Sequence, residues 1–324
     1  MKKSTFLLFT SIMFVIHSCH KVELTDANLG PLERLAMEKI DTFDRPTGFE
    51  HKPICRAVLV DPNNSNKIYY SEQRSDFETS IWEWELSTRR GWYLLNYKNN
   101  VSSLDINSFG QLLIRGYGKN GDELVCVDVS SGDVQFKLNS PGLAMRGGIW
   151  QTDSTFSLTM VNSRNESTVI LYDRKGKIID TQDRPDNFIG LSAIRNESFY
   201  YTSKMGTMYG IGKYNVKSLA YQNVLSYSKE SIPLAFVPTS EPSGFWFLQA
   251  SSRHLMWFDE AGGRLLENSV FKSNIVLNGL SPYGAGDEYL VAVSIYSPNS
   301  LRPRECIGFS NMKDNILEVL IDLK

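Results

Sequence analysis

The chain has 324 residues, with 34 Lys and Arg against 36 Asp and Glu, and a formal net charge of −2. So even a balance excludes the strongly basic footprint of a nucleic-acid-binding domain. A chain of this length can bury a large apolar core.

The first residues are Met1, Lys2 and Lys3, followed by an apolar stretch from Phe6 to Ile16. A charged start and a short apolar run read as a removed signal, because spanning a bilayer takes roughly 20 apolar residues. Ile16, His17, Ser18 and Cys19 resemble the lipobox, at which a leader is cut before a cysteine that is then acylated. The competing reading is an ordinary secretory signal that ends near a cysteine. Removal of residues 1–18 leaves 324 − 18 = 306 residues and takes away two lysines, so the charge moves from −2 to −4. His20 rather than an aspartate follows Cys19, so the usual inner-membrane retention signal is not visible. The expected address is the outer membrane, lipid-anchored through Cys19, on its periplasmic or its surface face.

Residues 19–53 read as the lipidated cysteine and a polar tether, with Pro31, Pro46 and Pro53 as breakers. Within it, Leu32, Leu35, Ala36 and Ile40 fit one or two helical turns. Alternatively, residues 36–43 pair as a strand on the last repeat and latch it.

From Ile54 onward, short apolar runs alternate with turn residues, the pattern of successive strands. Leu124–Val127 lead into Asp128 and Gly132, Val169–Tyr172 into Asp173 and Gly176, and Leu255–Phe258 into Asp259 and Gly262. Weaker copies end at Ser87, Asn215 and Asn311. The steps from Ser87 through Asp128, Asp173, Asn215 and Asp259 to Asn311 are 41, 45, 42, 44 and 52 residues. Asp, Asn and Ser bond their own backbone two residues on, which closes a hairpin between two strands.

Each unit carries four apolar runs, so residues 54–324 divide into six units of about 45, the length of a propeller blade. The expected fold is all-β: a six-bladed β-propeller of four-stranded antiparallel blades, near 54–100, 101–146, 147–187, 188–231, 232–274 and 275–324. Inner strands should be apolar on both faces. Trp82, Glu83, Trp84, Glu85 and Leu86 alternate, and the tryptophans and Leu86 should pack between blades. Cys55, Cys126 and Cys306 match neither zinc nor redox spacing and read as small buried side chains, or as one bridge with a cysteine left over.

Gly116, Tyr117, Gly118, Lys119, Asn120 and Gly121 spell G-x-G-x-x-G, but a strand rather than a helix follows, so they form a hairpin loop. No P-loop, H-E-x-x-H or G-x-S-x-G occurs. Past the leader, histidine occurs at positions 20, 51 and 254. No metal or other cofactor is expected.

The lipobox cysteine, the polar tether, the six divergent units and the turn pattern at Asp128, Asp173 and Asp259 together resemble the TolB-like six-bladed propeller lipoproteins of diderm bacteria. The resemblance implies an envelope binding or interaction module and carries no functional residue onto this chain.

In such a ring, loops between the second and third strands and loops entering the first strand share one end. Those loops hold Arg74, Lys119, Arg146, Arg164, Arg184, Lys204, Arg253, His254, Arg302 and Arg304, among acids that include Asp76, Asp122 and Glu166. The candidate ligand-binding set is Arg74, Arg146, Lys204, Arg253, His254, Arg302 and Arg304, a weakly cationic rim. Arginine there suits an anionic sugar or a peptide carboxylate through its bidentate geometry. The expected protein is a monomeric binding module for a glycan, peptide or protein partner, without catalysis. The alternative is a hydrolase or lyase acting on a polysaccharide or lactone with axial carboxylates and His254.

Overall fold

The computed structural model describes residues 23–25, 33–36 and 54–323. Excepted are position 165, the connections between strands from 185 to 274, and residues 284–287, 298–299, 301 and 312–315. Over most of 187–268 it describes the backbone path alone. Residues 1–18, expected to be a leader, and Cys19 lie outside the described residues.

The described chain is all strand and turn. Two short strands come first, β1 (Glu23–Thr25) and β2 (Glu33–Ala36). The first blade is β3 (Val58–Val60), β4 (Lys67–Ser75), β5 (Glu78–Glu85) and β6 (Arg90–Tyr97). The second is β7 (Asn100–Ile106), β8 (Gln111–Gly118), β9 (Gly121–Asp128) and β10 (Val134–Ser140). The third is β11 (Ala144–Thr152), β12 (Thr155–Val161), β13 (Ser167–Asp173) and β14 (Ile178–Arg184). The fourth is β15 (Asn187–Arg195), β16 (Ser198–Met205), β17 (Met208–Asn215) and β18 (Ala220–Tyr227). The fifth is β19 (Pro233–Thr239), β20 (Gly244–Gln249), β21 (Leu255–Asp259) and β22 (Arg264–Asn268). The sixth is β23 (Ile275–Tyr283), β24 (Glu288–Ile295), β25 (Arg304–Asn311) and β26 (Ile316–Leu323).

Each blade is an antiparallel meander, and its first strand touches the first strand of the next blade. The sequence of touching strands, β3, β7, β11, β15, β19 and β23, returns to β3, which closes a ring of six blades.

The apolar runs explain the stacking. Leu112, Leu113 and Ile114 are consecutive in β8, and none is more than 1% exposed. Successive strand side chains point to opposite faces, so Leu112 and Ile114 enter the layer with Tyr69 and Ile81 of the first blade. Leu113 enters the layer with Met145, Phe156 and Leu158 of the third. Strand β24 does the same, with Leu290 and Ala292 packed toward the first blade and Tyr289, Val291 and Val293 in a separate layer. The outer strand β10 is exposed along most of its length, as expected where blades diverge.

At Asp128 and Asp173 the turn chemistry is as the sequence reading requires, whereas the Ser87 hydroxyl accepts from the Asn66 side chain instead. The Oδ1 of Asp128 accepts the Ser130 N–H at 2.8 Å, and that of Asp173 accepts the Lys175 N–H at 2.9 Å. Gly132 and Gly176 follow at φ of 76° and 79°, a left-handed conformation that costs glycine little. The glycine-rich stretch from Gly116 to Gly121 is the β8–β9 hairpin. Cys55, Cys126 and Cys306 are buried free thiols.

The seam between the sixth and first blades joins the two ends of the repeat array. Val58, Val60, Trp82 and Trp84 pack there against Leu290, Ala292, Ile307 and Phe309. The Val60 N–H donates to the Ser281 hydroxyl across the seam at 3.0 Å. Glu83, on the opposite face of β5, is also buried and is neutralised by Lys67 at 2.8 Å.

The segment ahead of the repeats adds a strand to each seam blade. β1 pairs with β6 at the outer edge of the first blade, and β2 pairs with β26 at the outer edge of the sixth. At Glu33–Ala36 the expected latch on the last blade is a strand, and residues 37–43, over which the rest of that expectation ran, lie outside the described residues.

Trp82 is 4% exposed, stacks on Tyr70, and donates its indole N–H to Glu72 at 2.8 Å. Trp82→Ala should therefore destabilise the protein by about 3–5 kcal/mol, read as a lowered urea midpoint.

Candidate functional site

Because neighbouring strands are antiparallel, turns between second and third strands emerge at the same end of the ring as the connections into each first strand. This end is the mouth. First strands reach it through a repeated irregularity: pairing with the second strand slips between Val101 and Ser103, Gly147 and Ile149, Phe188 and Gly190, Pro233 and Ala235, and Leu277 and Gly279. A bulge re-aims the side chains beside it. In β11 the bulge uses Gly147 and Gly148 at φ of 74° and 112°, and a Cβ on Gly148 would stand 2.9 Å from Leu124.

The first blade has no such slip. Instead the Ser71 hydroxyl accepts the N–H groups of Arg56 and Ala57 at 3.4 and 3.1 Å, and regular pairing starts only at Val58. This irregular entry brings Arg56 to the mouth, where its Nη1 donates to the Tyr117 hydroxyl of the second blade at 2.8 Å. The Arg56 Nε is buried without a hydrogen-bond acceptor.

Arg115 lies two residues before Tyr117 on the same face of β8. Its Nη1 donates to the Met145 carbonyl at 2.9 Å and its Nε to the Ser103 hydroxyl at 3.4 Å. Arg146 also donates to the Met145 carbonyl, at 3.4 Å, so two guanidinium groups converge on one oxygen. Burial first, and then the nearby Arg146 charge, push the Arg115 pKa down to about 10, which still leaves it charged at neutral pH. Among the described contacts of these arginines the carboxylate is Asp122, which lies 3.8 Å from Arg146 and accepts the Met145 N–H at 2.8 Å.

The rim residues expected from sequence fare differently. Arg146 joins this cluster with its side chain 41% exposed. Arg74 lies at the end of β4, 3.6 Å from Glu72 and over the Trp82 ring at 5.9 Å. Arg304 is held by Asp322 through two contacts of 3.1 and 3.0 Å. Arg302 is exposed in the β24–β25 connection, where its N–H donates to the Ser300 hydroxyl at 3.3 Å. Lys204 stands on β16 opposite Asn187 and Tyr209, with its backbone alone described. Arg253 and His254 lie outside the described residues.

Arg56, Arg115 and Tyr117 were not singled out from sequence as site residues. Arg115 did leave a signal, a fixed charge directly after the run Leu112–Leu113–Ile114, since arginine is rarely buried without a purpose-built partner.

Deeper in the ring, the Asp105 carboxylate on β7 accepts the Trp150 N–H of the third blade at 2.6 Å. Burial raises its pKa to about 7, although the Trp150 and Ile106 N–H groups favour the charged form.

No protein-family model matches the chain, and no curated protein matches it. Solved structures do. TolB from Acinetobacter baumannii aligns with a TM-score of 0.58 and 11% identity, over 80% of this chain and 64% of that one. The fold is a β-propeller. A candidate TolB from Agrobacterium tumefaciens gives a TM-score of 0.56 at 14% identity, over 77% of this chain and 90% of that one. The WD40 repeats of RRP9 give 0.53 at 13%, over 84% and 81%. Identities this low speak for the propeller fold alone.

Asp105 generates a pH prediction. An aspartate in the unfolded chain titrates near 3.9, so between about pH 4 and 7 the folded propeller keeps a proton that the unfolded chain has lost. The contribution of Asp105 is then fully present at low pH and is lost as pH rises through about 7. Asp105→Asn removes this loss while keeping an oxygen for the Trp150 N–H. Melting curves from about pH 5 to pH 8 should show the wild type losing stability relative to the variant.

Proposed function

We propose that this propeller is a lipid-anchored module of the outer membrane that binds a carboxylate-bearing glycan, peptide or protein partner at its mouth, without catalysis. The observation that carries the reading is the convergence of Arg115 and Arg146 on the Met145 carbonyl, with Arg56 joined through Tyr117. Like charges held this close disfavour one another, and an anion placed among them relieves that repulsion. Arginine forks also match the two oxygens of a carboxylate. Arg146 is the member open to solvent and so the one expected to meet the ligand first. Arg304 is already engaged by Asp322 and contributes little.

Calorimetric titration of the purified protein with a uronic-acid oligosaccharide, its neutral counterpart and a carboxylate-ended peptide tests this. A charge-assisted hydrogen bond contributes about 1.5–3 kcal/mol, so Arg146→Ala should raise Kd by about tenfold or more. Arg304→Ala should leave Kd unchanged. Equal binding of wild type and Arg146→Ala would remove the mouth cluster from the account. Turnover of the oligosaccharide would replace the non-catalytic reading with that of a hydrolase or lyase.

A further inference from the structure

β1 lies on the outer edge of the first blade, with Glu23 opposite Trp92, Leu24 opposite Gly91 and Thr25 opposite Arg90. β6 runs from Arg90 toward the mouth and β1 is antiparallel to it, so the chain enters β1 from the mouth side. His20, Lys21 and Val22 alone separate Cys19 from Glu23. An extended chain advances at most about 3.6 Å per residue, so these four steps hold Cys19 within roughly 14 Å of Glu23.

Our reading that Cys19 carries the acyl chains, on which this inference rests, puts that residue at the headgroup boundary. A leash so short cannot hold the ring clear of the bilayer. We propose that the outer edge of the first blade is a membrane-docking surface, which the short leash from Cys19 seats against the bilayer that takes its acyl chains.

The residues along β6 and directly after it suit that position. Trp92 and Leu95 are partly exposed, and Arg90, Asn96 and Lys98 are exposed. Tryptophan, arginine and lysine are residues that settle at headgroup level, with apolar bodies toward the chains and polar ends in water. The ring then stands on its edge, and the mouth opens along the membrane surface rather than away from it. The fourth blade, opposite the first in a ring of six, is held farthest from the bilayer.

The test uses full-length protein processed in a diderm bacterial host and reconstituted into vesicles of phosphatidylethanolamine and phosphatidylglycerol containing a nitroxide-headgroup lipid. A fluorophore is placed at Asn96→Cys on β6 or at Gln222→Cys on β18, both exposed. Cys55, Cys126 and Cys306 are buried and do not compete for the label. The expected result is loss of fluorescence at position 96 and none at position 222. A Gly–Ser spacer of about 20 residues before Glu23, with a root-mean-square reach of roughly 25 Å, should abolish the difference. Mass analysis of the N-terminal peptide reads acylation separately. An acylated protein with equal quenching at both sites, or with quenching that survives the spacer, overturns the docking and leaves the anchor standing. An unacylated Cys19 overturns the anchor itself, and the docking with it.

Discussion

A sheet that is apolar on both faces cannot stand alone in water, and this constraint governs the molecule. In β8 the side chains of Leu112 and Ile114 need a neighbour on one side, and that of Leu113 needs one on the other. Every blade therefore needs two partners, and a linear stack would leave two faces wet. Closing the stack on itself is the arrangement that leaves none. Each fully buried Leu, Ile or Val contributes roughly 1.5–3 kcal/mol relative to exposure, so an open ring would forfeit a whole layer of such contributions at once.

Closure puts special weight on the seam between the sixth and first blades, because no covalent link passes directly from β26 to β3. The four repeat strands of each seam blade are one contiguous stretch of chain, and β2, from the N-terminal end, adds a fifth strand to the sixth blade. The seam is held by the layer around Trp82, Leu290 and Ile307, by the Val60–Ser281 hydrogen bond, and by the leading segment that pairs with both outer edges. Packing of successive blades assembles the mouth. Arg56 belongs to the first blade and Tyr117 to the second, and the stacking of the two blades brings them to 2.8 Å.

Much of the fold was legible because it is written in local chemistry. An apolar run followed by an aspartate that bonds its own backbone is a strand and a turn wherever it occurs, and Asp128 and Asp173 do this. Trp82 and Trp84 were legible as packing residues from alternation alone, and both lie in the seam. The added strands were harder to read. Glu23–Thr25 and Glu33–Ala36 are short and polar, and pairing at a sheet edge is made by backbone groups that carry no sequence signature. The rim was legible only as a list of cations. Which of them are engaged, as Arg304 is by Asp322 from another strand, depends on cross-strand neighbours that spacing does not reveal. Arg56 gave no local sign at all, since its place depends on the Ser71 hydroxyl taking over two ladder positions.

The central claim is that the ring is one cooperative closure, with the seam opening only when the blades on both sides of it lose their shared layer. Native-state hydrogen exchange at low denaturant tests it most directly. The account predicts that amides of β3 and β24, which flank the seam, open with one common free energy and one common denaturant dependence. Amides of β3 that exchange by a separate, cheaper opening while β24 stays protected would contradict it.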